Sequence, residues 1–266
     1  MTRAHQRAAR LGIGVTMTWL SLIVLLPLAA LLVRSTQGGP TAYWHAITAP
    51  TARAALGVTI ALAALVTVVN AVMGTVIAWV LVRDEFPGKR LVDALIDLPF
   101  ALPTIVASIV LLSLYGANSP IGLHLNASRP GVVVALAFVT LPFVVRSVQP
   151  VLLEADREVE AAAASLGASA WTTFWRVLWP TLRPAVIGGA GLAFARAIGE
   201  YGSVTLIGGN IPRDTQVASQ YIQEQIETDN PLGAACVAVT LLLIAFVVLL
   251  GLRRFAQHDE GTEGHA

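Results

Sequence analysis

ALGVTIALAALVTVVNAVMGTVIAWVLV, residues 55–82, is 28 residues long and contains no charged side chain. Thr59, Thr67, Asn70 and Thr75 are its only polar residues of size, and nothing in it alternates apolar with polar. As a helix it would extend about 42 Å, more than the roughly 30 Å of a bilayer's hydrocarbon core. As a barrel strand it would need the period-two pattern it lacks. The stretch therefore predicts a transmembrane helix, and with it a protein whose solvent is lipid.

The rest of the chain agrees. Of 266 residues, 56% are hydrophobic and 12% charged, against about 45–50% and about 25% in soluble globular domains. Apolar stretches of spanning length recur at 11–33, 91–115, 131–150, 184–208 and 233–252. The expected fold class is an all-α integral membrane bundle of six transmembrane helices. Residues 1–10 and 253–266 are expected as cytoplasmic tails flanking a six-helix membrane domain over 11–252. The first stretch follows Arg3, Arg7 and Arg10, as a signal peptide would, but its apolar run exceeds the usual 7–15 residues, so it is expected to remain as a span. One cysteine, Cys236, excludes an internal disulfide.

Basic residues orient the bundle, because short cytoplasmic loops hold the excess of Lys and Arg. With the N-terminus inside, twelve of the 17 basic residues fall on the cytoplasmic side: Arg3, Arg7, Arg10, Arg83, Lys89, Arg90, Arg146, Arg157, Arg176, Arg183, Arg253 and Arg254. Four fall outside, Arg34, Arg53, Arg129 and Arg213, and Arg196 lies within a span. The expected topology is N-in and C-in.

The same residues exclude most enzyme chemistry. Lys89 is the sole lysine and is followed by Arg90, so no phosphate-cradling G-x-x-x-x-G-K-[ST] loop exists. The five histidines lie in tails and outer loops, no H-E-x-x-H occurs, and no loop is long enough to fold as a domain. No catalytic residue, metal site or cofactor is expected in this chain, nor any nucleic-acid partner.

The inner loop at 151–183 is the unusual segment. It opens with Glu154, Asp156, Glu158 and Glu160 and runs through an Ala-rich helix to Gly167. It restarts at Ser169 and carries Trp171, Phe174, Trp175 and Leu178 at helical spacing toward Pro180. Gly167 suits the left-handed end of one helix and Ser169 the cap of the next. The loop is thus expected as two short helices with a bend, the second with an aromatic face fit for a membrane interface or a partner's groove.

Val159-Glu160-Ala161-Ala162-Ala163-Ala164-Ser165-Leu166-Gly167, then Val177-Leu178-Trp179-Pro180, resembles the EAA loop of ABC importer permeases. Counted back from Gly167, the motif's Glu position holds Ala161, with Glu160 one place earlier. Ala162, Ala163, Gly167 and Pro180 match. A one-residue shift turns a side chain about 100° around a helix, which leaves open what Glu160 contacts. Further segments resemble the sulfate/thiosulfate (CysT-like) group, whose close relatives are the CysW-type and molybdate permeases. They are Ala78 to Arg83, Phe86 to Arg90, Asp97 to Thr104, Arg146 to Pro150, Phe194 to Gly202 and Gly209-Asn210-Ile211-Pro212.

The resemblance implies a type I ABC importer permease in the cytoplasmic membrane of a bacterium. It implies coupling through Glu160 to Gly167 and Pro180 to a separate cytoplasmic ATPase dimer that binds ATP and Mg. A homologous CysW-like second permease, giving a heterodimer, and an extracytoplasmic sulfate-binding protein complete the implied assembly. Sulfate or thiosulfate is the implied cargo, with molybdate or tungstate as the alternative. An ion-coupled secondary anion transporter or channel is the rival from another class. It would show inverted repeats and broken helices, and neither repeats nor paired interruptions are legible.

Candidate pathway residues come from charges and helix breakers within the spans. Arg196 and Glu200, at i,i+4, fall near the middle of 184–208, where a charge costs about 2.5–3.5 kcal/mol. They suit either an ion pair locking the fifth helix to a neighbour or an anion path in which Glu200 holds the Arg196 guanidinium. Gly199 and Gly202 would permit close helix approach. Pro99 and Pro103 remove donors from the third span and suit either a fixed kink or a gate. Asp93 and Asp97 are expected to pair with Arg90 or Arg83, and Asn70 to hydrogen-bond between helices.

Overall fold

The computed structural model describes the backbone of residues 3–260 and, with it, the side chains of 12–252 and Arg254. Every regular element among the described residues is helical. In chain order these are α1 (Arg3–Leu20), a π turn (Ser21–Leu25), α2 (Leu26–Thr36), α3 (Gly39–Thr48), α4 (Pro50–Arg83) and α5 (Lys89–Ile96). Then come α6 (Leu98–Ala101), α7 (Thr104–Tyr115), α8 (Arg129–Glu154), α9 (Arg157–Ser165), α10 (Ala170–Thr173) and a second π turn (Phe174–Leu178). The chain finishes with α11 (Trp179–Ile198), α12 (Gly202–Thr205), α13 (Ala218–Glu227) and α14 (Pro231–Glu260).

Five runs are long and apolar enough to cross a membrane: Gly12–Thr36, Pro50–Arg83, Arg129–Glu154, Ala170–Ile198 and Pro231–Leu252. The stretch expected as a continuous third span is instead three short helices, α5, α6 and α7. The cause is local. Pro103 lacks an N–H, and its ring forces Leu102 out of the helical region to ψ 135°, while Pro103 itself takes ψ 133°. The fourth run also differs from the span expected at 184–208. It begins at Ala170, so the aromatic helix of the inner loop and the fifth span are one helix, and it ends at Ile198.

α8 is the centre of the bundle: 56% of its apolar window is buried, against 28% for α4. It packs on α4 and α11, which also touch each other, and α14 closes on α11 and α13. Two apolar clusters result. One gathers Ala55, Val66, Leu136, Phe194, Ile198, Ile207 and Val237; the other gathers Leu81, Val144, Val145, Val148, Leu152 and Leu182 at the opposite end of α8. By contrast, none of the apolar window of Gly12–Thr36 is buried, and only its end touches the bundle, through Ser35 and α14.

Asn70 links α4 to α8, as expected. Its Nδ2 donates to the Ala137 carbonyl at 3.1 Å and to Thr140 Oγ1 at 2.9 Å, and it is 2% exposed. Asn70→Val should lower stability by about 1 kcal/mol, the scale of interhelical hydrogen bonds in membranes. The thermal midpoint of the purified permease in detergent measures it, and an unchanged midpoint would show that the contact contributes nothing.

Candidate functional site

Local chemistry builds the inner loop. Asp156 accepts from the Glu158 N–H at 2.8 Å and opens α9, whose first turn places Glu158 and Glu160 at the positive end of the helix dipole. At the other end Gly167 takes φ +85°. The Gly167 N–H donates to the Ala164 carbonyl at 3.0 Å and the Ala168 N–H to the Ala163 carbonyl at 3.1 Å, the pair of bonds of a Schellman stop. Ser169 then caps α10 by accepting from the Thr172 N–H at 3.2 Å.

The turn of the helix decides what Glu160 contacts. Ala161 and Ala162 lie on the exposed side of α9, whereas Glu160 and Ala163 are half-buried against the bundle. Glu160 Oε1 accepts from Arg83 Nη2, at the end of α4, at 2.5 Å. Arg83 also lies over the Trp79 ring, 5.5 Å from its centroid, a cation–π distance. Trp79 meets Phe174 edge-on at 5.7 Å.

The single aromatic face expected on α10 is divided. Trp171 and Trp175 are exposed, Phe174 is half-buried and Leu178 is in the core. The π turn at 174–178 is the reason, since its extra residue rotates the helix beyond it. It also carries the helix past Pro180, which has no N–H to give. Trp171, Trp175 and Trp179 meet edge to face along this segment with centroids 5.5 and 5.3 Å apart.

Nearby, the acids of α5 find a partner other than the expected Arg90 or Arg83. Arg146, on α8, donates to Asp93 Oδ1 at 2.6 Å and to both Asp97 oxygens at 2.7 Å, with Gln149 beside it. The i,i+4 carboxylates face α8, where a planar guanidinium satisfies both. In the loop before α5, the Lys89 ammonium bonded to Glu85 at 2.8 Å holds that carboxyl below its ordinary range.

The second constellation is a pair of helix breaks set against each other. α11 ends at Ile198, and Gly199, Glu200 and Tyr201 separate it from α12. Arg196 therefore sits in the last turn of its helix and not midway along it, a favourable place for a cation. It pairs with Glu200 of its own chain segment, so the pair does not lock the fifth helix to a neighbour. Glu200, its side chain 1% exposed, also accepts from the Ser203 N–H at 2.7 Å, and its carbonyl accepts from Ser219 Oγ at 2.6 Å. The Arg196 side chain stays 34% exposed.

Across from this break lies the one at Pro103. A Cβ on Gly202 would stand 2.1 Å from Thr104 Oγ1 and 2.9 Å from Thr104 Cβ, so only glycine permits the approach. Gly199 has no such neighbour: its nearest atom would be the Ala195 carbonyl oxygen at 3.9 Å, and close approach is not its role. Ser108 of α7 accepts from the Leu206 and Ile207 N–H groups at 3.0 and 3.3 Å, satisfying backbone left open after α12. Pro99 is buried in α6 and Pro103 caps α7. Paired interruptions are therefore present, contrary to the expectation, because the second arises at Glu200, where no proline marks it. Sequence reasoning also missed Ser108, one small polar residue in an apolar helix. Among the described residues no cluster of His, Cys, Asp or Glu is placed to hold a metal ion.

Comparison with known proteins places this geometry. Residues 71–258 match the family described as binding-protein-dependent transport system inner membrane component. The sulfate transport system permease protein CysT of Synechocystis is 47% identical over 248 residues, covering 89% of this chain and 87% of the relative. Its counterpart from Escherichia coli K12 is 41% identical over 262 residues, covering 94% and 95%. A crystal structure of a bacterial ABC transporter that imports alginate superposes with TM-score 0.75 at 14% identity, covering 95% of this chain and 96% of that one. The MetNI methionine transporter does so at 0.58 and 17%, covering 77% and 94%. At those identities the likeness is one of fold, whereas the relatives above 40% identical carry kinship, and the chain belongs to the family of binding-protein-dependent transport system inner membrane components, with its similarity to that family's CysT-type permeases.

Proposed function

We propose that this chain is the membrane-spanning subunit of an ATP-driven importer of sulfate and thiosulfate in a bacterial cytoplasmic membrane. The observation that carries the reading is the 41–47% identity to CysT sulfate transport permeases over about nine-tenths of the chain. A six-span bundle with both ends inside fits it. Five long helices cross directly, and α6 with α7, about 24 Å if laid end to end, completes the sixth crossing.

The work is divided among subunits. ATP and Mg bind to a separate cytoplasmic ATPase dimer, an extracytoplasmic binding protein delivers the anion, and a homologous CysW-like permease supplies the other half of the path. The alginate transporter solved with its periplasmic protein supports the first two kinds of partner. The Schellman stop of α9 presents Leu166, 88% exposed, and α10 presents Trp171, 71% exposed, as apolar contacts for the ATPase. Its movement reaches the paired breaks, where Pro99, Pro103, Gly199, Arg196, Glu200 and Gly202 form the gate. Selectivity resides largely in the binding protein.

The test is radiolabelled sulfate uptake in cells lacking this chain, with and without its re-expression, in competition with thiosulfate, molybdate, tungstate and phosphate. Rescue competed by thiosulfate alone is expected. Normal sulfate uptake with lost molybdate uptake would reassign the cargo, and uptake persisting after ATP depletion would sink the ABC mechanism.

Gly167 gives a sharper check of the loop. An L-residue at φ +85° costs about 1–2 kcal/mol and Asn less, so Gly167→Leu should abolish uptake while leaving membrane insertion intact, and Gly167→Asn should retain most of it. Uptake unaffected by Gly167→Leu would remove the coupling role of the loop.

A further inference from the structure

The covalent chain carries motion from α9 in two directions only, back into α8 and forward into α10 and α11. α4 is joined to the inner loop by no peptide link nearby, yet two polar contacts hold it, one at its last residue and one within its first third. At one end Arg83, its last residue, is hydrogen-bonded to Glu160 of α9. Toward the other end, nine residues in from Pro50, Thr59 Oγ1 accepts from the N–H of Ala218, the first residue of α13, at 2.7 Å, while donating to the Ala55 carbonyl of its own helix at 2.8 Å. Between them the helix is continuous and unbroken by proline, part of a 34-residue rod about 51 Å long.

We infer that α4 is a strut that transmits movement of the inner loop to α13 at the far end of the bundle, with Arg83 as the positioning residue that engages it. Arg83 suits the task. Its side chain is 11% exposed, and its Nε has no hydrogen-bond partner among the described residues, so the Glu160 carboxylate and the Trp79 ring hold the guanidinium. A buried cation released from its carboxylate is strongly unfavourable, and that cost makes Arg83 follow Glu160 when α9 moves. Trp79 adds stiffness, because it is seated against Phe174, at the start of the run that becomes α11. The far anchor is equally enclosed: Thr59 is 2% exposed and Ala218 fully buried.

This inference rests on the importer reading, and the test separates the two. The assembled transporter, isolated by a tag on this chain and reconstituted in proteoliposomes, is assayed for sulfate carried per ATP hydrolysed. Failure of the wild-type complex to bring down an ATPase or to carry sulfate would refute the importer reading. With a working wild type, Arg83→Gln and Glu160→Gln should each lower the ratio about fivefold or more, the scale of a coupling free energy between sites. The double variant should be no worse than either single one, and Arg83→Lys should recover most of the ratio. Thr59→Val, at the contact with α13, should lower the same ratio. Single variants within about 1.5-fold of wild type, or a double variant whose loss is the product of the two, would overturn the strut. Thermal midpoints of the same samples identify a variant that merely misfolds, and Glu160→Gln, at a side chain 25% exposed, keeps the test decisive if Arg83 variants are lost.

Discussion

Gly202→Val should abolish sulfate uptake and lower the stability of the permease by about 1–3 kcal/mol, the usual cost of overpacking a tight contact. The added atoms would meet Thr104 Cβ at 2.9 Å and the Ile105 backbone nitrogen at 3.0 Å before the valine methyls are counted. Backbone cannot yield as a flexible side chain does, so the two breaks must separate. Separation would also lengthen the bonds from the Leu206 and Ile207 N–H groups to Ser108 Oγ. A second substitution sharpens the result. Thr104→Gly in a Gly202→Ala background removes the hydroxyl and Cβ that clash, and should restore part of both readings. Wild-type uptake and an unchanged thermal midpoint in Gly202→Val would mean that the breaks do not meet.

The Arg196 and Glu200 pair should behave asymmetrically. Removing one partner of a buried pair costs about 3–5 kcal/mol where the survivor stays buried. Arg196→Met leaves the Glu200 carboxylate, 1% exposed, with the Ser203 N–H alone, and should approach that range. Glu200→Gln leaves an Arg196 side chain that is 34% exposed and so less enclosed than Glu200, and Gln still accepts from Ser203, so its cost should be smaller. In the double variant both charges are gone and stability should return. If Arg196 serves the proposed anion path, uptake should stay low, because the double variant lacks its guanidinium at the break. Full recovery of uptake along with stability would reduce the pair to a brace for the break. Melting curves in detergent and uptake in cells read both quantities.

Much of the fold is legible in the residues because its causes are short-range or compositional. An uncharged run such as 55–82 has one solution in lipid, a helix that satisfies its own backbone. Pro103 interrupts the third span by its own geometry. Gly167 and Ser169 end one helix and begin the next through bonds that reach five residues at most, and Asn70 had to find a partner because an amide alone among apolar helices is costly. Even the direction in which Glu160 faces was posed by the sequence as a question of 100°.

Its answer came from packing. Glu160 meets Arg83 across 77 residues, Asp93 and Asp97 meet Arg146 across 53 and 49, and Ser108 serves backbone donors 98 and 99 residues away. Charge type and helical phase leave several partners open for each of these groups, as Arg90, Arg83 and Arg146 were for the two aspartates. The choice depends on which helix faces α8 presents to its neighbours, a property of the whole bundle. The break at Glu200 is of the same kind. No proline marks it, and it persists because Arg196, Ser203, Ser219 and Ser108 satisfy the polar groups it exposes. A membrane bundle with a capped inner loop follows from the residues alone, since lipid and local geometry act on adjacent residues. How that loop, the strut helix and the paired breaks connect follows from the packed bundle, which brings together partners distant along the chain.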